Sequence, residues 1–186
     1  MGMLALAAKR QPRVVMEIGT AQAGTQFLLG QVLNSVELIL AVDLRVKNKM
    51  LLNEFSRDGL KRVCLEGSSY DQTTIRRVES VLAGQKIDVL FIDGDHTYEG
   101  VKADYCSYQH LVKQGGLIVF HDIVEDHQTR FGQSSGGWAG DVPIYWRELK
   151  AAAPYGTTWE FIADPEQDGM GIGILENVSK VEISKP

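Results

Sequence analysis

Cysteine is scarce in this chain, two among 186 residues. Cys64 and Cys106 are too few for a disulfide framework, and neither stands in a CxxC spacing or beside a histidine cluster. A stapled secreted scaffold and a structural zinc site are therefore disfavoured. Both are expected to be buried thiols of a reducing compartment. Long hydrophobic runs are missing too. No segment approaches the roughly 20 apolar residues that a spanning helix needs. The opening MGMLALAAKR places its basic residues after the apolar stretch at 3–8, the wrong order for a secretory signal. Leu6 stands where a myristoylation motif needs Ser or Thr. Nor is there an excess of positive charge. A net charge of −5 offers no bulk attraction to phosphate backbones or anionic lipid, which argues against nucleic acid and membrane as partners. The cytoplasm is the expected location.

What is present is an ordinary soluble composition, 44% hydrophobic and 23% charged, read as a single domain over 1–186. A chain of this length buries roughly 70% of the surface its unfolded form exposes. Short β-branched runs alternate with longer amphipathic segments, the pattern of repeated β-α units. Strands are expected at 13–18, 37–42, 62–65, 87–92, 116–120, 158–162 and 171–175. Helices are expected at 24–33, 47–57, 72–82, 98–113 and 143–152. The implied architecture is α/β, a seven-stranded mostly parallel sheet with an antiparallel C-terminal hairpin and helices on both faces. Residues 125–141 break the rhythm. This long, polar, Gly-rich stretch is expected to be a lid or substrate loop, or else a plain connector. Within it Arg130 and Trp138 are candidate substrate contacts, although one exposed aromatic serves equally as a packing anchor.

Residues 87–122 hold the densest chemistry. Two strand-like runs end in metal-capable packets, Asp93, Asp95 and His96 after the first, His121 and Asp122 after the second. A β-α-β crossover brings both to the C-terminal edge of one sheet, where open α/β sheets bind ligands. Glu17 ends the first strand, and Gly19 and Gly24 bracket the turn GTAQAG that opens the first helix. Asp43 ends the second strand at a spacing comparable with the roughly 20 residues expected of a ribose-binding acid. The turn lacks the middle glycine that a pyrophosphate needs, and Thr25-Gln26 follows Gly24 where a P-loop needs Lys and Ser or Thr. A nucleoside ligand without a pyrophosphate remains. The acidic Glu17 suits a cation, and S-adenosylmethionine fits that description.

EIGTAQAG, the strand-end Asp43, GSS at 67–69, FIDGDHTYEGVKAD and KQGGLIVFHD, in this order, resemble a class I S-adenosylmethionine-dependent methyltransferase. More narrowly the chain resembles the small-molecule branch that includes macrocin-type O-methyltransferases and proteins called cephalosporin hydroxylases. The resemblance implies a Rossmann-like fold. It implies that Glu17, Gly19 and Gly24 line the methionine side of the cofactor, that Asp43 holds the ribose, and that Gly67, Ser68 and Ser69 flank the adenine. It also implies Asp93 beside the cofactor as both catalytic and metal-binding residue, His96 as general base, and Asp122 as a further ligand of Mg²⁺ or Mn²⁺. The family's acidic pair after the second strand reads His121-Asp122 here, so an imidazole replaces a carboxylate at one metal position. The expected metal set is Asp93, His121 and Asp122.

A divalent ion would lower the pKa of a chelated hydroxyl, and His96, titrating near neutrality, would take its proton. The expected reaction is O-methylation of a small-molecule hydroxyl. The alternatives are a metal-free methyltransferase relying on His96, a noncatalytic cofactor-binding or assembly subunit, and an Fe(II)-dependent oxygenase. A short segment before the first strand makes a homo-oligomer plausible. Asp95 can orient His96, assist the ion indirectly or cap the next helix. Ser69 and Asp71 are candidate caps of the helix after 71, and Asp104 is assigned to structure. Trp146, in helical register with Val142 and Leu149, belongs to the core.

Overall fold

The computed structural model describes residues 2–178. In chain order the elements are α1 (Gly2–Lys9), β1 (Val14–Ile18), α2 (Gly24–Val32), β2 (Leu38–Asp43), α3 (Lys49–Glu54), β3 (Lys61–Glu66), α4 (Gln72–Leu82) and β4 (Ile87–Ile92). They continue with α5 (Tyr98–Tyr108), β5 (Val112–His121), α6 (His127–Phe131), α7 (Val142–Ala152), β6 (Thr158–Phe161) and β7 (Ile172–Glu176). The strands form one sheet in the order β3-β2-β1-β4-β5-β7-β6. β1 to β5 pair in parallel, and β7 runs antiparallel to both β5 and β6. This is the expected α/β architecture.

The central strands read as continuous apolar runs because both faces of the sheet are covered. Val14, Met16 and Ile18 of β1 pack toward α4, α5 and α7, with Ile75, Val78, Val101, Tyr108 and Trp146 in the same cluster. Val15, one position out of phase, packs toward α1 and α2 with Ala7, Leu29 and Leu33. Period-two alternation thus divides one strand between two cores. Trp146 is 1% exposed, lies over Phe120 and donates its indole N–H to Glu160, as its helical register requires. No helix among the described residues is long and apolar enough to cross a membrane.

Five local expectations are corrected. α1 was not expected, because its apolar run is short and uncapped. It forms because Ala7 docks on the sheet and Met3, Leu4 and Leu6 pack beside it. Arg10, just beyond, pairs with Glu176 of β7. The helix expected at 98–113 ends at Tyr108, and a 3₁₀ turn at Gln109–Leu111 leads directly into β5. The strand expected at 116–120 begins at Val112, and QGG lies inside it as an irregularity marked by Gly115 at φ 73° and a register shift against β4. The stretch at 125–141 contains the short helix α6, capped by Asp126. Finally, Cys64 is only half-buried and Cys106 is exposed, and both are unpaired. Cys64 sits on β3, which has one neighbour only, and Cys106 lies off the buried face of α5.

Candidate active site

The parallel strands deliver their C-terminal ends to one edge, and the turns that follow form a cavity of roughly 490 Å³ there. Its lining includes Gly19, Asp43, Gly67, Ser69, Asp93 and His96. Such a volume suits a cofactor-sized ligand. Gly19 holds φ 81°, and a Cβ there would lie 1.8 Å from the carbonyl oxygen of Asp93. Only glycine lets β1 and β4 approach this closely. Gly67 holds φ 150° and has no room for a side chain beside Thr74. Asp43 ties the walls together, accepting from the N–H of Ala21 and of Arg45, each at 2.8 Å. Its carboxylate thereby links the end of β2 to the turn after β1, and each oxygen keeps a lone pair.

Glu17 and Gly24 lie outside this lining. Glu17 is 1% exposed beneath the turn, with Oε2 lacking a partner among the described residues. Burial, reinforced by nearby Asp93, pushes its carboxyl up to about 8. Gly24 opens α2 and borders an apolar groove with Phe27, Leu51 and Phe55. Ser68 borders the main cavity. Asp71 is the cap of α4, accepting from Thr73 N–H, which leaves Ser69 free for another bond.

That bond runs to Asp104, which is wholly buried and accepts from the Ser69 hydroxyl at 2.5 Å. Tyr108 donates to the Ser69 carbonyl at 2.5 Å. Burial pushes the Asp104 carboxyl up to about 6, a rise that the Ser69 bond opposes and the charge of Asp95 reinforces. Asp104 is thus structural in a specific sense, bracing one wall of the cavity from below. The signal was in the sequence, an acid on the buried face that Val101 and Tyr108 share. Thr97 caps α5, accepting from Gly100 N–H at 3.1 Å, and Asp95 before it accepts from Thr97 N–H at 3.0 Å and from the Tyr70 hydroxyl at 3.4 Å.

At the cavity's end two carboxylates and two imidazoles converge. His96 Nε2 is 3.3 Å from Asp93 Oδ1, and His96 Nδ1 is 3.6 Å from Asp122 Oδ2. His121 Nδ1 is 3.3 Å from Asp93 and 3.1 Å from Asp122. It pairs with both in charge, yet aligns with neither as a hydrogen-bond donor. Burial works against the charge of His121, but the two carboxylates outweigh it and push the imidazole up to about 10. Asp93 is held below the usual carboxylate range by both imidazoles in spite of its burial. Asp93 raises His96 in turn, against its burial.

Two features that sequence reasoning missed fix this cluster. The Trp138 carbonyl lies 3.0 Å from His96 Nδ1, 42 residues away in sequence. Asp122 adopts φ 60°, a strained backbone for a residue with a Cβ, and accepts from Met170 N–H at 2.7 Å. Neither contact leaves a local signal, since a backbone carbonyl and a backbone N–H carry no residue type.

The donor set fits a hard divalent ion. Ligand atoms of Asp93, His96 and Asp122 lie within 4.8 Å of one another. His121 Nδ1, buried and unaligned, is a further donor against the same two carboxylates. Two carboxylate oxygens with an imidazole suit Mg²⁺ less well than Mn²⁺, which accepts nitrogen more readily. The cavity fits a nucleoside ligand in size, and Asp43 on its wall keeps lone pairs for hydroxyl groups.

Comparison with known proteins adds the following. A family model described as a methyltransferase domain matches residues 16–123, more than half of the chain. An uncharacterized protein, R132, of Acanthamoeba polyphaga mimivirus is 34% identical over 112 residues, 58% of this chain and 50% of that protein. The match thus spans half the length of the viral relative. Among solved structures, the O-methyltransferase from Bacillus cereus in complex with SAH aligns with TM-score 0.66 at 14% identity, covering 94% of this chain and 79% of that one. TomG from Streptomyces achromogenes, an O-methyltransferase involved in tomaymycin synthesis and solved with SAM, aligns with TM-score 0.65 at 15% identity, covering 94% and 77%. MycE, from the mycinamycin biosynthetic pathway and solved with Mg and SAH, gives TM-score 0.60 at 16% identity over 94% and 47%. At these identities the structural matches establish a shared fold.

Proposed function

The chain belongs to the methyltransferase family whose domain model covers residues 16–123, and from that premise we propose that it is an S-adenosylmethionine-dependent O-methyltransferase of small-molecule hydroxyls. The observation that carries this reading is the meeting of Asp93 and His96 at the end of the cavity that Gly19, Asp43 and Gly67 shape. Structural neighbours solved with SAM or SAH support the choice of cofactor, and the neighbour solved with Mg supports an ion. Cys64 and Cys106, both unpaired, support a reducing, cytoplasmic setting.

When bound, S-adenosylmethionine supplies a methyl group already activated on a sulfonium, and a divalent ion supplies Lewis acidity to an acceptor hydroxyl. The chain's part is alignment and removal of one proton. Asp43 would hold the ribose hydroxyls, and Gly67, Ser68 and Ser69 the adenine side. Asp93 and Asp122, with His96 or His121, would hold the ion. The Trp138 carbonyl requires a proton on His96 Nδ1, so Nε2, which faces Asp93, is the atom that exchanges a proton and would take the acceptor's only after giving up its own. Asp93 then stabilises the imidazolium that forms, at a distance already set in the ligand-free chain.

One observation favours a metal-free form of the same reaction. His121, pushed up to about 10, places a positive charge between Asp93 and Asp122, the position where an ion's charge would act. Calorimetry with S-adenosylmethionine, with and without Mg²⁺ or Mn²⁺, separates the two. Binding of cofactor together with metal-dependent product formation supports the assisted form, and indifference to metal supports the metal-free one. Absence of cofactor binding would sink both.

A further inference from the structure

Trp138 is 68% exposed, yet its ring lies against His96 with centroids 4.9 Å apart and planes inclined by 32°. An indole left in water forgoes the gain of burying a large apolar face. The surrounding segment is nonetheless braced to keep it there. Asp126, itself 2% exposed, accepts from Ala139 N–H at 2.8 Å. Asp168 accepts from Gly137 N–H at 2.9 Å, from His127 N–H at 2.6 Å and from the Ser135 hydroxyl at 2.5 Å. Asp141 N–H reaches the His96 carbonyl at 2.8 Å, and a Cβ on Gly140 would lie 2.4 Å from that same oxygen. A plain connector has no reason for this bracing, and a packing anchor would be buried.

The geometry gives the exposed ring a position as well as an anchor. His96 borders the cofactor-sized cavity, and Trp138 does not. The indole therefore lies beside a residue at the border of the space for the methyl donor. An aromatic face in water recruits another flat face, an aromatic ring or the C–H side of a sugar, in offset stacking. A linear chain gains little from it.

We propose that Trp138 is the stacking platform for the methyl acceptor, and that the acceptor is a hydroxyl-bearing ring, aromatic or pyranose, rather than a linear alcohol. This rests on the methyltransferase reading for the chemistry, but ring binding is measurable without turnover. Substitution at 138 retains the backbone carbonyl that holds His96 and removes the indole with its face against the imidazole, and W138F keeps an aromatic face there.

The test uses the full chain and its W138A and W138F variants. Catechol and methyl glucoside serve as the ring probes, glycerol as the linear probe, with and without S-adenosylhomocysteine. Affinities come from calorimetry, and quenching of tryptophan fluorescence reports contact. The expected result is that at least one ring probe binds the parent and quenches it. W138A should weaken that probe roughly fivefold to tenfold, the worth of one ring stack. W138F should retain most of the affinity while losing the quench, and glycerol should be insensitive to either change. Catechol responding without the glucoside identifies an aromatic acceptor, and the converse a sugar. Ring probes that bind W138A as well as the parent, or that fail to bind the parent at all, overturn the inference. S-adenosylmethionine affinity measured on the same proteins keeps the two claims apart. Its absence from the parent sinks the methyltransferase reading, whereas normal cofactor binding beside ring affinity indifferent to W138A sinks the platform alone.

Discussion

His96 is held at three places at once, by the Asp93 carboxylate, by the Trp138 carbonyl and by the face of the Trp138 ring. Its backbone carbonyl is taken as well, by Asp141 N–H. With Nδ1 committed to the Trp138 carbonyl, proton exchange falls to Nε2 beside Asp93, and replacing the ring with a neutral amide leaves shape but removes the titratable group. H96Q is expected to lower kcat by about 10² to 10⁴ with any acceptor the parent turns over. Calorimetry should show cofactor affinity little changed. Asp104 invites a different measurement. Its carboxyl stands at about 6 in the fold against 3.8 ordinarily, so the folded state favours the protonated form. The stability this contributes is full below the ordinary value and is lost as pH rises through about 6. D104N keeps an oxygen for Ser69 and cannot ionise. It should exceed the parent in stability by on the order of 2 to 3 kcal/mol at about pH 8 and lose that margin near pH 4. Urea melts at the two pH values check this, and a margin independent of pH would contradict it.

The segment from Glu125 to Asp141 behaves as an element although little of it is regular. Asp168, in the connection between β6 and β7, carries much of its bracing, and its carboxyl is held down at about 2 by the Ser135 hydroxyl and the His127 N–H. D168A should speed hydrogen exchange at residues 132–140 while leaving β4 and the body of α5 protected. Equal acceleration in β4 would show the substitution to be globally destabilising. This segment also marks how far the sequence could be read. The strands, the turn at Gly19, Asp43 and the two packets were legible because periodicity, caps and glycine spacing are local signals. The cap by Asp71 was legible for the same reason. α1 was not, because what holds it is tertiary: Ala7 is buried in a cluster shared with α2 and the sheet, and Arg10 just beyond reaches Glu176, 166 residues away. The bracing of Trp138 was hidden likewise, since it joins residues 31 apart through backbone groups.

Across the whole molecule, five parallel strands bring Gly19, Asp43, Gly67, Asp93 and Asp122 to one edge, and the antiparallel β7 closes the far side against β5. Ligand binding at that edge touches turns from most of the sheet, so occupancy should register in global unfolding. S-adenosylmethionine at a hundredfold excess over its Kd should add about 2.7 kcal/mol of stability. For a chain of this size that corresponds to a rise in Tm of roughly 5 to 11 °C. Calorimetric scans with and without the ligand test it, and an unmoved Tm at saturating ligand would count against binding to the native state. The bond from Met170 N–H to Asp122, spanning 48 residues, has a further consequence in time. A growing chain emerges from the ribosome with its parallel strands first, and the cradle around Gly19 can close as soon as β4 has been made. Asp122 must wait for the loop before β7. Translation therefore makes the turns around Gly19 before Asp122 is pinned, and a nascent chain halted short of Met170 would hold that edge of the cavity beside an unfinished cluster of Asp93, His96 and Asp122.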